Sequence, residues 1–97
     1  MIRLISSDGT KDINYAEYGL EVEEDEEEFW LINAYSNLVS AYEDIFYYTM
    51  SVNDTKEEAL KELKNVRAMI GMQMKQPIIF IQLEDHLHGN SDSWHRK

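Results

Sequence analysis

Apolar and polar residues alternate in short runs at the start of the chain, a pattern typical of β-strands. Residues 2–6 and 10–15 form two such runs, and Asp8-Gly9 lies between them. Because Asp-Gly readily adopts the positive φ angles of a tight type I′ turn, the sequence predicts a β-hairpin here. Residues 18–22 alternate in the same way and predict another short strand, which leads into an acidic run.

Residues 29–52 fit two different interpretations. A helical apolar stripe runs through this stretch, formed by Leu31, Tyr35, Leu38, Tyr42 and Ile45. The aromatic-rich alternation of residues 29–35 and 46–52 instead suits a pleated surface, where rings pack across strands. We predict two strands joined by polar residues around 37–44, with one long helix as the alternative.

The segment that follows has the signature of an amphipathic helix. Asp54 is placed as an N-cap, and Glu57 follows three residues later, as in a capping box. Apolar side chains then recur on one face, at Ala59, Leu60, Leu63, Val66 and Ile70. The pattern predicts one main helix over about 54–75, ended by Gly71 or by Gln76-Pro77.

The last part of the chain predicts one more strand and then a tail. The continuous apolar run of residues 78–83 is typical of a strand buried on both faces or central in its sheet. Residues 85–97 are polar and rich in turn formers, so we expect a mobile tail. The predicted fold is a single α+β domain over 1–84. In it a small antiparallel sheet, made of the N-terminal hairpin and later strands, packs on the one main helix.

The composition is that of one soluble domain. A chain of 97 residues with 43% hydrophobic residues can build one modest core, and it is too short for separate cofactor and substrate domains. It contains no cysteine, which excludes disulfides and thiolate chemistry and fits a reducing compartment. No secretory signal or membrane-spanning stretch is recognisable, so we expect a cytoplasmic protein.

The charge is distributed very unevenly. Residues 1–50 hold twelve acidic residues against two basic ones, so they carry the whole net charge of −10. Seven carboxylates fall within the eight positions 21–28, a density that favours a solvated segment and repels phosphate. We therefore expect no direct nucleic-acid ligand and a basic protein surface as the partner, although such a run also serves as a simple solubilising loop.

These charges and their aromatic neighbours define the candidate partner-binding residues. Carboxylates would steer the encounter, and an aromatic ring beside them would supply the desolvated anchor. The predicted set consists of Glu23, Glu24, Asp25, Glu26, Glu27, Glu28, Trp30 and Tyr35. Exposed aromatic rings elsewhere in so short a chain would favour self-association into a symmetric homodimer.

The opening residues resemble a known family. The sequence IRLISSDGT at positions 2–10, followed by Asp12-Ile13-Asn14-Tyr15, resembles small phage and prophage proteins that open with an Arg-Leu-Ile-Ser, Asp-Gly-Thr, Ile-x-Tyr pattern. Residues 46–50, 54–59 and 77–80 follow in the same order as in that family, although Asn14 stands where a proline is common. The resemblance implies an α+β fold and a phage or mobile-element origin, and hence the cytoplasm of a bacterial host. It supplies no catalytic residues.

A metal site is the first candidate for chemistry. His86 and His88 would share one face of a strand, with Glu84 and Asp85 adjacent and His95 further along. A closed site needs more ligands held in place, and these residues lie in the expected tail. We therefore expect exposed histidines and no bound metal.

Enzyme chemistry has no recognisable residues. The carboxylates of the acidic run all appear solvated, which does not separate their pKa values into an acid and a base. Neither a Gly-x-Ser-x-Gly elbow nor a glycine-rich phosphate loop is present in the sequence. We expect a protein that is not an enzyme and that binds no cofactor.

Three functions remain compatible with the sequence. The leading hypothesis is a phage accessory protein that inhibits a bacterial defence effector, of the nucleic-acid-binding kind, through its acidic surface, as anti-CRISPR proteins do. The alternative is a sponge that sequesters a nucleotide second messenger at an oligomer interface, using aromatic rings with Arg3 or Arg67. A further alternative is a structural or regulatory phage adaptor.

Overall fold

The computed structural model describes residues 1–37, 47–72 and 77–88, in which two three-stranded sheets surround one long helix. The strands are β1 (Ile2–Ile5), β2 (Asp12–Asn14), β3 (Tyr18–Glu24), β4 (Trp30–Ser36), β5 (Tyr47–Asn53) and β6 (Ile79–Gln82), and the helix is α1 (Lys56–Met72). A short 3-10 turn, Tyr15–Glu17, precedes β3. The α+β class is confirmed. No helix in these ranges has the length and apolar content needed to cross a bilayer.

The first sheet has the order β2-β1-β6, with β1 antiparallel to β2 and parallel to β6. Alternate residues of each strand face the core, where Leu4, Ile13 and Ile81 are buried. The expectation that residues 78–83 form a central strand, or one buried on both faces, is wrong. β6 lies at the edge of the sheet, and its outer face leaves Phe80 64% exposed.

The β1–β2 hairpin is present, but its turn differs from the predicted type I′ geometry. That turn needs two consecutive residues with positive φ, whereas here only Gly9 has one, at 78°. The Asp8 carboxylate organises a longer loop by accepting hydrogen bonds from the Ser6 hydroxyl (2.7 Å) and from the backbone and hydroxyl of Thr10 (3.0 and 2.7 Å). These donors lower the pKa of Asp8 to about 2.

The second sheet is an antiparallel meander with the order β3-β4-β5. It confirms that the ambiguous stretch forms two strands rather than one helix. The connection predicted between them falls mostly on residues 38–46, which lie outside the described residues. Ile32, Ala34 and Met50 are fully buried, and α1 packs against all three strands of this sheet.

Helix α1 begins one residue later than its sequence signature predicts. Thr55 is the capping residue, since its hydroxyl accepts a hydrogen bond from the Glu58 backbone and donates one to the Glu58 carboxylate, both at 3.2 Å. Asp54 and Glu57 therefore do not form the predicted capping box. Asp54 instead accepts a hydrogen bond from the His88 backbone N–H at 2.5 Å. The helix is described to Met72, and residues 73–76 lie outside the described part.

The buried face of α1 also differs from the predicted stripe at one position. Ala59, Leu63 and Val66 are buried, as expected from their spacing. Leu60, however, is 46% exposed, while Glu62 is only 2% exposed. The core side of the helix therefore carries a carboxylate.

The first residues of the predicted tail pack on the domain. Asn53 and His86 form a parallel β-bridge, and the His86 backbone N–H donates to Val52 at 3.2 Å. The Ser51 hydroxyl donates to the Glu84 carbonyl at 2.6 Å. Residues 84–88 therefore connect the end of β6 to the free edge of β5, which links the two sheets. Residues 89–97 lie outside the described part of the chain.

Candidate functional site

The predicted acidic segment forms the tip of a β-hairpin. Strands β3 and β4 pair in a register that sets Glu24 opposite Trp30, and the residues between them make the turn. Asp25 closes this turn, because its carboxylate accepts hydrogen bonds from the backbone N–H groups of Glu27 and Phe29, each at 2.9 Å. We call residues 18–36 the acidic hairpin.

The carboxylates of the acidic hairpin divide into two groups. Glu23 and Asp25 are half-buried and bonded within the hairpin itself. The others are exposed: Glu21 lies along β3, and Glu24, Glu26, Glu27 and Glu28 lie at the tip. The first group therefore maintains the shape of the hairpin, and the second presents charge to solvent.

Trp30 and Tyr35, the two predicted anchors, lie at different distances from the exposed charges. Trp30 is at the base of the turn, half-buried, with the Lys56 ammonium 5.5 Å from its ring centroid. Tyr35 pairs with Gly19 at the other end of the hairpin, and its ring packs on Tyr47 at a centroid distance of 5.2 Å. Of the two rings, Trp30 is the one adjacent to the exposed carboxylates.

Tyr35 instead belongs to a polar network on the outer face of the second sheet. Its hydroxyl donates a hydrogen bond to Glu23, and the same carboxylate oxygen accepts one from the Asn33 amide at 2.9 Å. The Thr49 hydroxyl donates to Asn33 at 2.8 Å. The Tyr35 hydroxyl, and after it the Asn33 amide, lower the pKa of Glu23. The Glu23 carboxylate in turn raises the pKa of Tyr35 to about 12.

This network predicts a tyrosine that ionises late. Because the folded pKa of Tyr35 exceeds its ordinary value of 10.0, its contribution to stability is complete below pH 10 and is lost as the pH rises towards 12. Absorbance titration at 295 nm should show late-titrating phenols, with one fewer in Tyr35→Phe than in the wild type, because burial also raises the pKa of Tyr18. In Glu23→Gln the titration midpoint of Tyr35 should fall towards pH 10. Coincident titration curves for the wild type and Glu23→Gln would contradict the assignment.

A second group of side chains meets where α1 faces the segment after β6. The buried Glu62 carboxylate accepts a hydrogen bond from the Glu84 backbone N–H at 3.0 Å, and its other oxygen lies 2.9 Å from His86 Nε2. Ligand atoms of Glu62, Glu84 and His86 all lie within 4.8 Å of one another. We call these three residues the junction cluster.

A second histidine contact lies one helical turn from the junction cluster. The Glu58 carboxylate is hydrogen bonded to His88 Nε2, and Glu58 precedes Glu62 by four residues on the same helix face. The His88 side chain is 70% exposed, whereas that of His86 is 29% exposed. The expectation of exposed tail histidines therefore fails for His86.

Sequence reasoning selected Glu84 and His86 but missed Glu62, the residue that brings them together. A signal was present, because Glu62 falls three residues after Ala59 and four before Val66, within the apolar stripe of the helix. A carboxylate at such a position is buried whenever the apolar stripe on that face of the helix is buried. The interpretation of the stripe placed Leu60 there instead.

An open cleft adjoins the junction cluster. Its lining consists of Ser7, Gln82, Leu83, Glu84, Asp85 and His86. Among the described residues, this lining carries two carboxylates and contains neither an arginine nor a tyrosine, tryptophan or phenylalanine ring. Its chemistry therefore favours a cation over a nucleotide phosphate.

These features define the chain as a small α+β protein with an acidic hairpin at one end of a sheet and a buried carboxylate where its two sheets join. Comparisons with protein-family models, with curated proteins and with solved structures found no match. The functional argument accordingly rests on the residues of this chain.

Proposed function

We propose that this protein acts by binding, and that the exposed tip of its acidic hairpin docks on a basic surface of a partner protein. The observation that carries the proposal is the group of four exposed carboxylates at Glu24 and 26–28, held on a turn whose shape Asp25 maintains. Preorganised charge of one sign raises the rate of encounter with a surface of the opposite sign.

The charge density of this segment supports one kind of basic surface. Residues 21–28 carry seven carboxylates in eight positions. DNA is likewise dense in negative charge, with one phosphate about every 3.4 Å along each strand. A protein surface that binds nucleic acid therefore presents lysines and arginines at a density suited to this hairpin. The partner in the proposal is a nucleic-acid-binding protein.

The biological setting in the proposal comes from the resemblance of residues 2–15 to phage proteins. A phage protein that covers the nucleic-acid site of a bacterial defence effector would inhibit it, as anti-CRISPR proteins do. Trp30 would supply the apolar contact beside the charges, since it lies at the base of the turn. Rim charges set mainly the association rate and its salt dependence, whereas a desolvated aromatic ring sets affinity.

Two observations support an inhibitor over a nucleotide sponge. The Arg3 guanidinium is engaged with Asp12 at 2.9 Å, and Arg67 lies exposed on α1. The cleft lining offers no arginine and two carboxylates. The phage-adaptor hypothesis assigns no role to any residue of the acidic hairpin, so variants of these residues do not test it. The inhibitor hypothesis does assign them roles, and a single set of variants tests it.

The test compares two pairs of charge reversals with equal change in net charge. Glu26→Lys with Glu27→Lys alters the hairpin tip, and Glu17→Lys with Glu57→Lys alters exposed positions elsewhere. Each variant is expressed in bacterial hosts that carry one defined CRISPR-Cas system, and phage plaque formation is counted. The wild type and the Glu17/Glu57 variant should restore plaques on a susceptible host, and the tip variant should restore at least about tenfold fewer.

Circular dichroism and thermal melting establish that both double variants are folded before plaques are compared. A tip variant that restores plaques as well as the wild type would exclude docking through the acidic hairpin. Failure of the wild type on every host would exclude the anti-CRISPR version of the proposal.

A further inference from the structure

The Glu62 carboxylate is an ionisable group in the interior of the domain. Its side chain is 3% exposed, and within the described ranges its one ion-pair partner is His86, with no lysine or arginine within ion-pair distance. Buried charges in proteins are normally paired with an opposite charge or bound to a metal. The negative charge of Glu62 therefore has to be balanced by His86 or by a bound cation.

The groups around Glu62 belong to residue types that bind metals in proteins. Glu84 adds a second carboxylate and His86 an imidazole nitrogen, and all the ligand atoms lie within 4.8 Å of one another. Zn²⁺ binds nitrogen and carboxylate oxygen at about 2.0–2.2 Å in tetrahedral sites, so its ligand atoms lie about 3.4 Å apart. Small side-chain rotations would bring the three groups from their present spacing to that geometry.

A buried side chain that is hydrogen bonded to Glu84 through Ser51 has an unpaired acceptor atom. Asn53, at the end of β5, is fully buried, and its Oδ1 atom has no hydrogen-bond donor in the part of the chain that the structure describes. Its amide nitrogen donates to the Ser51 hydroxyl at 3.1 Å, and that hydroxyl donates to the Glu84 carbonyl at 2.6 Å. A water bound to a cation is a hydrogen-bond donor of the kind that this buried acceptor lacks.

We propose that the junction cluster of Glu62, Glu84 and His86 binds a divalent transition-metal cation, for which Zn²⁺ is the reference ion. One nitrogen and two carboxylate ligands suit Zn²⁺, whereas Ca²⁺ takes six to eight oxygen ligands and Mg²⁺ retains most of its water. Glu84 and His86 also line the open cleft, which gives the cation a path from solvent and leaves room for a water as fourth ligand. Beside the Glu62 carboxylate, His86 Nε2 carries the proton of their hydrogen bond. Metal binding would leave the imidazole neutral with its proton on Nδ1, so that the lone pair of Nε2 faces the metal.

The bound ion would connect two parts of the fold. Glu62 belongs to α1, while Glu84 and His86 belong to the segment that links β6 to the edge of β5. Because the three ligands come together only when these elements pack, the ion binds the folded state and stabilises it. This proposal is independent of the hairpin and of any partner protein.

The experiment measures the effect of metal on the melting temperature of the full chain. Protein treated with a chelator and dialysed is melted with no metal, with Zn²⁺ and with Mg²⁺. At Zn²⁺ concentrations about a hundredfold above Kd, the wild-type Tm should rise by several degrees, whereas Mg²⁺ at the same concentration should leave it unchanged. Isothermal titration calorimetry should give a stoichiometry of one Zn²⁺ per chain.

Matched variants locate the site. His86→Gln and Glu84→Gln should lose the Zn²⁺-dependent shift, and each variant is compared with its own metal-free form so that its intrinsic stability does not matter. His88→Gln, which removes the neighbouring imidazole, should retain the shift. The proposal is overturned if the wild type shows no shift, if His86→Gln shifts as much as the wild type, or if Mg²⁺ is as effective as Zn²⁺.

Discussion

Leu4→Ala is expected to lower the free energy of unfolding by about 2–5 kcal/mol, because it leaves a cavity in a site with little freedom to collapse. Leu4 is fully buried on β1, the central strand of its sheet, between Ile13 on β2 and Ile81 on β6. Small domains are stable by only about 5–15 kcal/mol. Urea denaturation followed by circular dichroism measures the loss, which should appear as a lower midpoint at an unchanged m-value.

Leu60→Ala is the matched control for this substitution. It makes the same chemical change at a position that is 46% exposed on α1. Its effect should remain within about 0.5–1 kcal/mol, because the leucine packs little and alanine favours the helix. Equal losses for the two substitutions would contradict the placement of β1 at the centre of the sheet.

Glu62→Ala in metal-free protein is expected to cost about 1–3 kcal/mol, since it leaves the Glu84 backbone N–H and the His86 ring without their buried partner. Glu62→Gln should cost less, because its amide retains an acceptor for that N–H and offers a donor to the ring nitrogen. Chemical denaturation of both variants in the presence of a chelator measures the difference. The chelator separates this structural role from the proposed role in metal binding.

Lys61→Ala, an exposed neighbour on the same helix, serves as the control for Glu62. It should change stability by no more than a few tenths of a kcal/mol. Buried ionic groups do not always stabilise a fold, and apolar replacements are sometimes more stable. If Glu62→Ala were as stable as the wild type, Glu62 would be one of the buried ionic groups that do not stabilise their fold. Its structural role in this protein would then be wrong.

The acidic run also has a role in the fold that does not depend on a partner. Within the described residues β3 is the outer strand of its sheet, and edge strands with free backbone groups tend to pair with other chains. Carboxylates such as Glu21 and Glu24 along this strand oppose such pairing through repulsion. The Glu26/Glu27 charge reversal leaves β3 unchanged, so a failure of that variant to inhibit would reflect the tip and not the exposed edge.

The local elements followed from the sequence because their signals are local. The alternation in residues 2–6 and 18–22, the Asp-Gly pair and the apolar spacing of α1 depend on neighbours a few residues apart. The same reasoning separated the two strands of residues 29–52 from a helix. It also placed the acidic residues on one exposed segment, which became the tip of a hairpin.

The errors arose where several positions compete for one contact. The helix cap moved from Asp54 to Thr55 because Asp54 is engaged by the backbone of His88, more than thirty residues away. Tyr35 was expected to be a free anchor, yet its hydroxyl is bound to Glu23. Neither contact follows from the spacing of residues in the sequence.

By itself the sequence determined the α+β class, the strands on either side of the acidic run, the amphipathic helix and the concentration of charge in the first half of the chain. Only the tertiary structure decided that β6 pairs in parallel with β1, and that the segment after it crosses to β5. That path carries Glu84 and His86 onto the buried Glu62. Pairings between distant segments depend on the packing of the whole core, which no local pattern of polar and apolar residues encodes.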